Sequence, residues 1–162
     1  IMGDVDSVFA KANTALAKIE AEDTAVVVLK FSNGALGVIE ATTAARPTDL
    51  EGSLSLLGEG GTVEIGGFAV NEMKVWRFAK ADDGDADVLR DFSVNPPNVY
   101  GFGHQAYYEH VVDCIQSGKQ HLVDGLEGRR SLELINAIYE SVETGEEVRL
   151  RFQPRHCRLG GK

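Results

Sequence analysis

EDTAVVVLKFSNGALGVIEATTAARP, residues 22–47, sets the reading of the whole chain. TAVVVLKF (24–31) is rich in β-branched residues, which fit a pleated and half-buried surface. ALGVIEATTAA (35–45) continues in the same character, and the intervening SNGA (32–35) holds Asn33-Gly34. That dipeptide readily takes the positive φ angles of a tight turn, so the stretch predicts an antiparallel hairpin. Working outward, VDSVFAKANT (5–14), SLSLLGE (53–59), TVEI (62–65), MKVWRF (73–78) and VLRDFSV (88–94) read as further strands between Gly-rich turns. KADDGDAD (80–87) reads as a solvated acidic hairpin loop, because it lacks the ligand spacing and distal Glu of a calcium loop.

After NPPN (95–98) the hydrophobic period changes. Tyr107, Tyr108, Val111, Val112 and Ile115 recur at helical spacing, and Gly118 is placed to stop that helix. A second helix is predicted from about Leu126 to Glu143, with Leu132, Leu134, Ile135, Ile138 and Tyr139 inward and Gly145 at its end. EEVRLRF (146–152) reads as a closing strand. Together these elements predict an α+β fold: an open, mostly antiparallel β-sheet with helices on one face. The other face carries Val26, Val28, Leu36, Val38, Leu54 and Leu56, and no helix remains to cover it. A second copy of the chain is the expected cover, making a homodimer or homotetramer through the open sheet face.

The 162 residues fit one domain, and a hydrophobic fraction of 43% is ordinary for a globular core. With 25 Asp and Glu against 16 Lys and Arg, the net charge of −9 argues against nucleic acid and against an anionic membrane surface as partners. A local basic patch does occur at the end, in Arg151, Arg155, Arg158 and Lys162. The two cysteines, Cys114 and Cys157, form no disulfide framework and lack zinc-site spacing. There is no signal peptide and no apolar run of the ~20 residues that a membrane span needs. The chain therefore reads as a soluble cytoplasmic domain. IMGDVDSVF does not resemble a natural beginning; Gly3 suits the end of a helix, and a preceding segment is expected.

Three polar stretches are candidate sites. In GFGHQAYYEHVVDC (101–114), Glu109, His110, Asp113 and Cys114 fall on the helix side opposite the tyrosines and valines. His110 and Cys114 have the i, i+4 spacing of metal ligands. There is no HExxH and no second ligand cluster, so no metal is expected, and the side reads as solvated, with His110 toward solvent and a half-buried thiol. His104 follows Gly101 and Gly103 at a helix entry, beside Tyr100, where unpaired N–H groups and a partial positive charge favour an anion. In EATTAARP (40–47), Thr42, Thr43 and Arg46 could line a site at a sheet edge, with Arg46 suited to a carboxylate or phosphate, or the threonines are simply good strand residues. No GxSxG, no Cys–His–Asn set and no Gly-x-Gly-x-x-Gly after a first strand appears. Nothing in these 162 residues amounts to a self-contained catalytic machine.

The Lys30–Gly37 hairpin (KFSNGALG), the LGEGGT turn (57–62), and DGLEGRRSLE (124–133) running into AIYES (137–141) occur in an order that resembles one family. It is the C-terminal domain of the glucose-fructose oxidoreductase, inositol dehydrogenase and MocA-type oxidoreductases, and the resemblance covers residues 5–152. It implies an NAD(P)-dependent enzyme of two domains. A Rossmann domain binds NAD or NADP, and a domain resembling residues 1–162 forms a wall of the substrate pocket and the oligomer contact. The family's proton-transfer Lys and His, in E-K-P and D-x-x-x-H motifs, are absent here, so hydride transfer and cofactor binding would lie outside this chain. The resemblance places Thr43, Arg46, Tyr100 and His104 at the substrate. It makes the DG-x-EG-R turn (Asp124, Gly125, Glu127, Gly128, Arg129) structural, with Gly125 permitting the turn and Arg129 binding carbonyls or Glu127. ATTAARP, NPPNVYGFGHQAYYEHVVDCI and the tail RFQPRHCRLG are similar to the bacterial branch that oxidises UDP-N-acetylglucosaminuronic acid at C3. That branch serves surface-polysaccharide synthesis. The alternative is a stand-alone sugar-binding or scaffold module that keeps the fold without the chemistry.

Overall fold

A computed structural model of the chain describes residues 2–98 and 100–151. The hairpin at 22–47 is present: β2 (Thr24–Phe31) pairs antiparallel with β3 (Leu36–Thr42), Val28 facing Val38. Its turn is one residue longer than the tightest kind. The Gly34 N–H donates to the Phe31 carbonyl at 2.9 Å, and the Phe31 N–H donates to the Ala35 carbonyl at 2.9 Å. Gly34 alone of the dipeptide takes positive φ, at +90°. Asn33 instead bends the loop with its side chain, whose Oδ1 accepts the Ala35 N–H at 3.0 Å.

The described residues divide into two compact units, those up to Arg46 together with those from Leu122 onward, and those from Pro47 to His121. In the first, β1 (Val5–Asn13) lies between β2 and the short β7 (Val148–Arg149), giving the order β3-β2-β1-β7, all antiparallel. The helix α3 (Gly125–Thr144) packs on β1 and β7. Val8, Ala10, Val27, Leu29, Ala137 and Val148 make the core, with Leu134, Ile138 and Val142 against it. Strand alternation leaves Val26, Val28, Leu36 and Val38 on the outer face, all exposed, Leu36 by 73%.

The inward stripe of α3 differs from the expected one. Leu134 and Ile138 do pack on the core, but Leu132 and Ile135 are exposed, and Ala137 and Ser141 take the centre. Small residues let the helix approach β1 closely. β7 is too short to pair with β1 beyond Ser7 and Val8, and the hydroxyl of Ser141 substitutes for it. Ser141 Oγ accepts the Ala10 N–H at 2.9 Å and donates to the Glu146 carbonyl at 2.6 Å. The DG-x-EG-R stretch is a helix start rather than a glycine turn. Asp124 Oδ1 caps α3 by accepting the Leu126 and Glu127 N–H groups at 2.9 and 3.0 Å. Glu127 pairs with Arg130 at 3.2 Å.

In the second unit, β4 (Leu54–Gly58), β5 (Gly61–Gly66) and β6 (Glu72–Phe78) form an antiparallel meander. The LGEGGT motif has a steric reason: a Cβ on Gly61 would sit 2.5 Å from the Arg77 carbonyl oxygen. Of the expected loop 80–87 only 80–84 stays irregular, and its end together with the start of the expected strand 88–94 is instead a helix, α1 (Asp85–Asp91). Asp85 and Asp87 in its first turn and Arg90 in its last complement the helix dipole. Asp85 also accepts the Trp76 Nε1–H at 2.8 Å, which anchors α1 to β6. Only Ser93 keeps a bridge, to Glu72.

The helix α2 (Gly103–Ser117) ends at Gly118 as expected, but the apolar side does not turn inward, while Glu109 and Asp113 stay exposed as expected. Tyr107, Tyr108, Val112 and Ile115 are exposed and Cys114 is buried. After Gly118 the chain turns back beneath Cys114: the Lys119 N–H donates to the Cys114 carbonyl at 3.0 Å, and Cys114 Sγ lies 3.7 Å from the Gln120 carbonyl.

Replacing Ser141 by Ala leaves the buried Ala10 N–H without its acceptor. The variant should lose about 1–3 kcal/mol of stability, measured by urea unfolding at unchanged m-value. An unchanged midpoint would show that the hydroxyl is not needed at this junction.

Candidate functional site

The polar end of the β2–β3 hairpin is organised by one residue that the sequence reading passed over. Asp23, 2% exposed, stands immediately before β2. Its Oδ2 accepts the N–H groups of Leu16 and Ala17 at 2.6 and 2.7 Å, and its Oδ1 accepts the Thr24 hydroxyl at 3.1 Å. Its own N–H donates to the Asn13 carbonyl at 3.0 Å. Its carbonyl accepts the Thr43 N–H at 2.9 Å and the Thr42 hydroxyl at 3.0 Å. Thr42 Oγ1 also lies 3.0 Å from Thr24 Oγ1 and accepts the Ala44 N–H at 2.9 Å. The N–H groups of Ala17 and then Leu16 stabilise the carboxylate and hold its pKa down to about 2. An acidic residue before a strand is common, so nothing in the sequence distinguished Asp23 from its neighbours.

This network separates the two threonines. Thr42 is committed to the fold, whereas the exposed Thr43 gives only its backbone to it. Arg46 Nη1 donates to the carbonyls of Ala45 at 2.7 Å and Thr43 at 3.4 Å, which curls the side chain over the strand end. Among the described residues Nε and Nη2 of Arg46 carry no hydrogen bond, leaving the three N–H groups of these two nitrogens available on the exposed guanidinium.

The structure thus brings Thr43 to Arg46 in the first unit, and it brings Tyr100 to His104 in the second. Tyr100 and His104 meet edge to face at 6.2 Å between ring centroids. Asn98, a second residue missed in the sequence, shapes the approach: its Oδ1 accepts the Tyr100 N–H at 3.0 Å, and its carbonyl accepts the Gly101 N–H at 3.2 Å. The N-cap of α2 is Phe102, which has no side-chain acceptor, and no acidic residue lies in the first turn. The helix N-terminus therefore keeps its donors and partial positive charge unneutralised by its own cap.

Other expected polar groups are structural. His110 is half-buried rather than turned to solvent, with Nε2 3.6 Å from Cys114 Sγ. Among the described residues no three His, Cys, Asp or Glu side chains group as metal ligands. Arg151 donates to Oε1 of the buried Glu140 at 2.7 Å. Arg155, Arg158 and Lys162 lie outside the described residues. No described helix is long and apolar enough to cross a membrane.

Over residues 1–150 the sequence matches the "Oxidoreductase family, C-terminal alpha/beta domain" of the glucose-fructose oxidoreductase, inositol dehydrogenase and MocA type. The chain belongs to this family. The WlbA dehydrogenase of Bordetella pertussis, solved with NADH and UDP-GlcNAcA, is 43% identical with a TM-score of 0.84, over 92% of this chain and 43% of that one. The WlbA dehydrogenase of Chromobacterium violaceum, also with NADH and UDP-GlcNAcA, is 39% identical with a TM-score of 0.81, over 93% and 41%. D-apiose dehydrogenase of Rhizobium rhizogenes is 24% identical over 91% of this chain and 44% of its own length. The chain thus spans less than half the length of each of these proteins. A nicotinamide dinucleotide is bound at a Gly-rich turn from a parallel strand into a helix. Both sheets here are wholly antiparallel, and no such turn occurs among the described residues.

An Asp whose pKa drops from 3.8 to about 2 on folding stabilises the fold while ionised. That contribution is complete above the unfolded value and fades as pH falls through the folded one. Wild type should therefore exceed Asp23→Asn in thermal midpoint by a constant margin above about pH 5, narrowing at lower pH. A margin independent of pH down to about 2 would contradict this reading of Asp23.

Proposed function

We propose that this chain is the substrate-binding and self-association domain of an NAD(P)-dependent dehydrogenase that oxidises the C3 hydroxyl of UDP-N-acetylglucosaminuronic acid in the cytoplasm. In this reading a separate N-terminal domain binds the cofactor and carries the proton-transfer residues, and residues 1–162 contribute no catalytic group. The observation that carries the substrate is the 43% identity, across 92% of the chain, to a dehydrogenase solved with NADH and UDP-GlcNAcA. The chemistry of the strand end and the helix entry supports it. The substrate is a carboxylate joined to a pyrophosphate, and it requires cationic or N–H donors. In the first unit, Arg46 Nε and Nη2 carry no hydrogen bond among the described residues; taken by itself, the second unit offers the N-terminus of α2, flanked by Tyr100 and His104. In a chain of net charge −9, such local donors are what recognise an anion.

The outer face of the four-stranded sheet supports self-association. Phe9, Val28 and Val38 lie side by side across β1, β2 and β3, with Leu36 and Val26 adjacent, and all five are exposed. A second copy applying the same face buries them without a further element.

The whole gene product should reduce NAD or NADP when supplied with UDP-N-acetylglucosaminuronic acid, followed by NAD(P)H absorbance, and the 162-residue chain by itself should not. Arg46→Ala should raise the KM for the sugar nucleotide by about 10- to 100-fold, the worth of a charge-assisted hydrogen bond or two. A whole protein inactive on this substrate would sink the assignment. For the sheet face, Val38→Glu should convert an associated species into a monomer in sedimentation velocity; a monomeric wild type would remove that half of the proposal.

A further inference from the structure

We infer that Asp23 is the positioning residue for the substrate-facing strand end, holding Thr43 and Arg46 in place through its own backbone carbonyl. The inference rests on the reading of Thr43 and Arg46 as substrate contacts. It concerns how that site is built rather than which residues touch the ligand.

Asp23 is a junction of three segments. Its carboxylate closes the 14–22 loop by taking the Leu16 and Ala17 N–H groups on one oxygen, and the loop is tied again by the Thr14 hydroxyl on the Ala21 carbonyl at 2.6 Å. Its N–H joins the end of β1 through Asn13. Its carbonyl carries the exit of β3 through both the Thr42 hydroxyl and the Thr43 N–H. The Asp23 N–H and carbonyl lie in adjoining peptide units, and the side chain on the Cα between them is itself held by Leu16 and Ala17, so the backbone at Asp23, which aims the carbonyl, has little freedom to turn. Thr43 then fixes Arg46, since the Thr43 carbonyl accepts from Nη1. The chain of contacts runs from a buried carboxylate to an exposed guanidinium without leaving one compact unit. Burial makes it rigid: a charged acceptor satisfied by two N–H groups and a hydroxyl, 2% exposed, has no solvent alternative to exchange with.

A residue that only stabilises the fold and one that aims a binding group differ in their kinetics. Loss of a positioning residue weakens binding of the group it aims, and that loss vanishes once the aimed group is gone. The test uses the whole gene product with UDP-N-acetylglucosaminuronic acid as varied substrate at saturating cofactor. Asp23→Ala is expected to raise KM about tenfold or more, with kcat and the KM for the cofactor within about twofold of wild type. Asp23→Asn should recover part of the loss, because an amide oxygen accepts the same two N–H groups without the charge. Asp23→Ala combined with Arg46→Ala should be no worse than Arg46→Ala alone. Should Asp23→Ala fail to fold, Thr42→Val, which cuts the link on the other side of the carbonyl, should shift KM in the same direction. Ser141→Ala, buried in the same unit and remote in role, should lower stability and leave KM unchanged.

If Arg46→Ala raises KM while Asp23→Ala and Thr42→Val keep the wild-type value, the positioning role is refuted and the proposed function stands. Additive losses in the double variant also refute it, since Asp23 would then act independently of Arg46. If Arg46→Ala leaves KM unchanged, the reading of the strand end falls, and this inference with it.

Discussion

One helix covers one face of the four-stranded sheet, and most of what the first unit does follows from that constraint. The 20 residues of α3 seat Ala137 and Ser141 on β1, close enough for a serine hydroxyl to complete the strand's edge hydrogen bonding. This buries Val8, Ala10, Val27 and Leu29 and leaves their alternating neighbours on the far side bare. β-branched residues give the hairpin its strand character on both faces, yet only one face finds a cover within the described residues. Under the proposed self-association, that bare face is the contact between copies, and the ends of the sheet are left for recognition.

It is at such an end that the hydrogen bonding becomes dense and polar. Asp23, Thr24, Thr42 and Thr43 convert the open mouth of a hairpin into a fixed platform, with Arg46 curled over it. The buried carboxylate supplies rigidity and the exposed guanidinium supplies charge, two roles that one residue cannot fill together. The separation also explains why two adjacent threonines differ: Thr42 is used internally and Thr43 is presented. In the second unit, the uncapped start of α2 offers a different kind of donor, backbone N–H rather than side chain, beside an aromatic pair. Each kind suits an anionic oxygen.

The strands and the two long helices were legible because their signals are local: β-branched runs, glycines after the helices, and a change of period after NPPN. α1 was not. VLRD is too short to show a period, and its helical state depends on Asp85 meeting Trp76 nine residues earlier in the chain. The faces of α2 and α3 were misjudged where tertiary contacts override apolar spacing. Ser141 is inward because β1 needs a hydrogen-bonding partner there, and Cys114 because the chain doubles back beneath it. Thr43, Arg46, Tyr100 and His104 were visible as residue types in polar breaks of apolar runs. Asp23 and Asn98 were not, because their role lies in which backbone groups they hold, and that appears only once the chain is folded.

The central claim is that the end of the β2–β3 hairpin faces a nucleotide-sugar acid. A crystal structure of the whole gene product with cofactor and UDP-N-acetylglucosaminuronic acid tests it most directly. The account predicts Arg46 and Thr43 within hydrogen-bond distance of the ligand's carboxylate or phosphates, with Asp23 still clasping Leu16 and Ala17. A ligand bound with Arg46 and Thr43 remote from it would contradict the account.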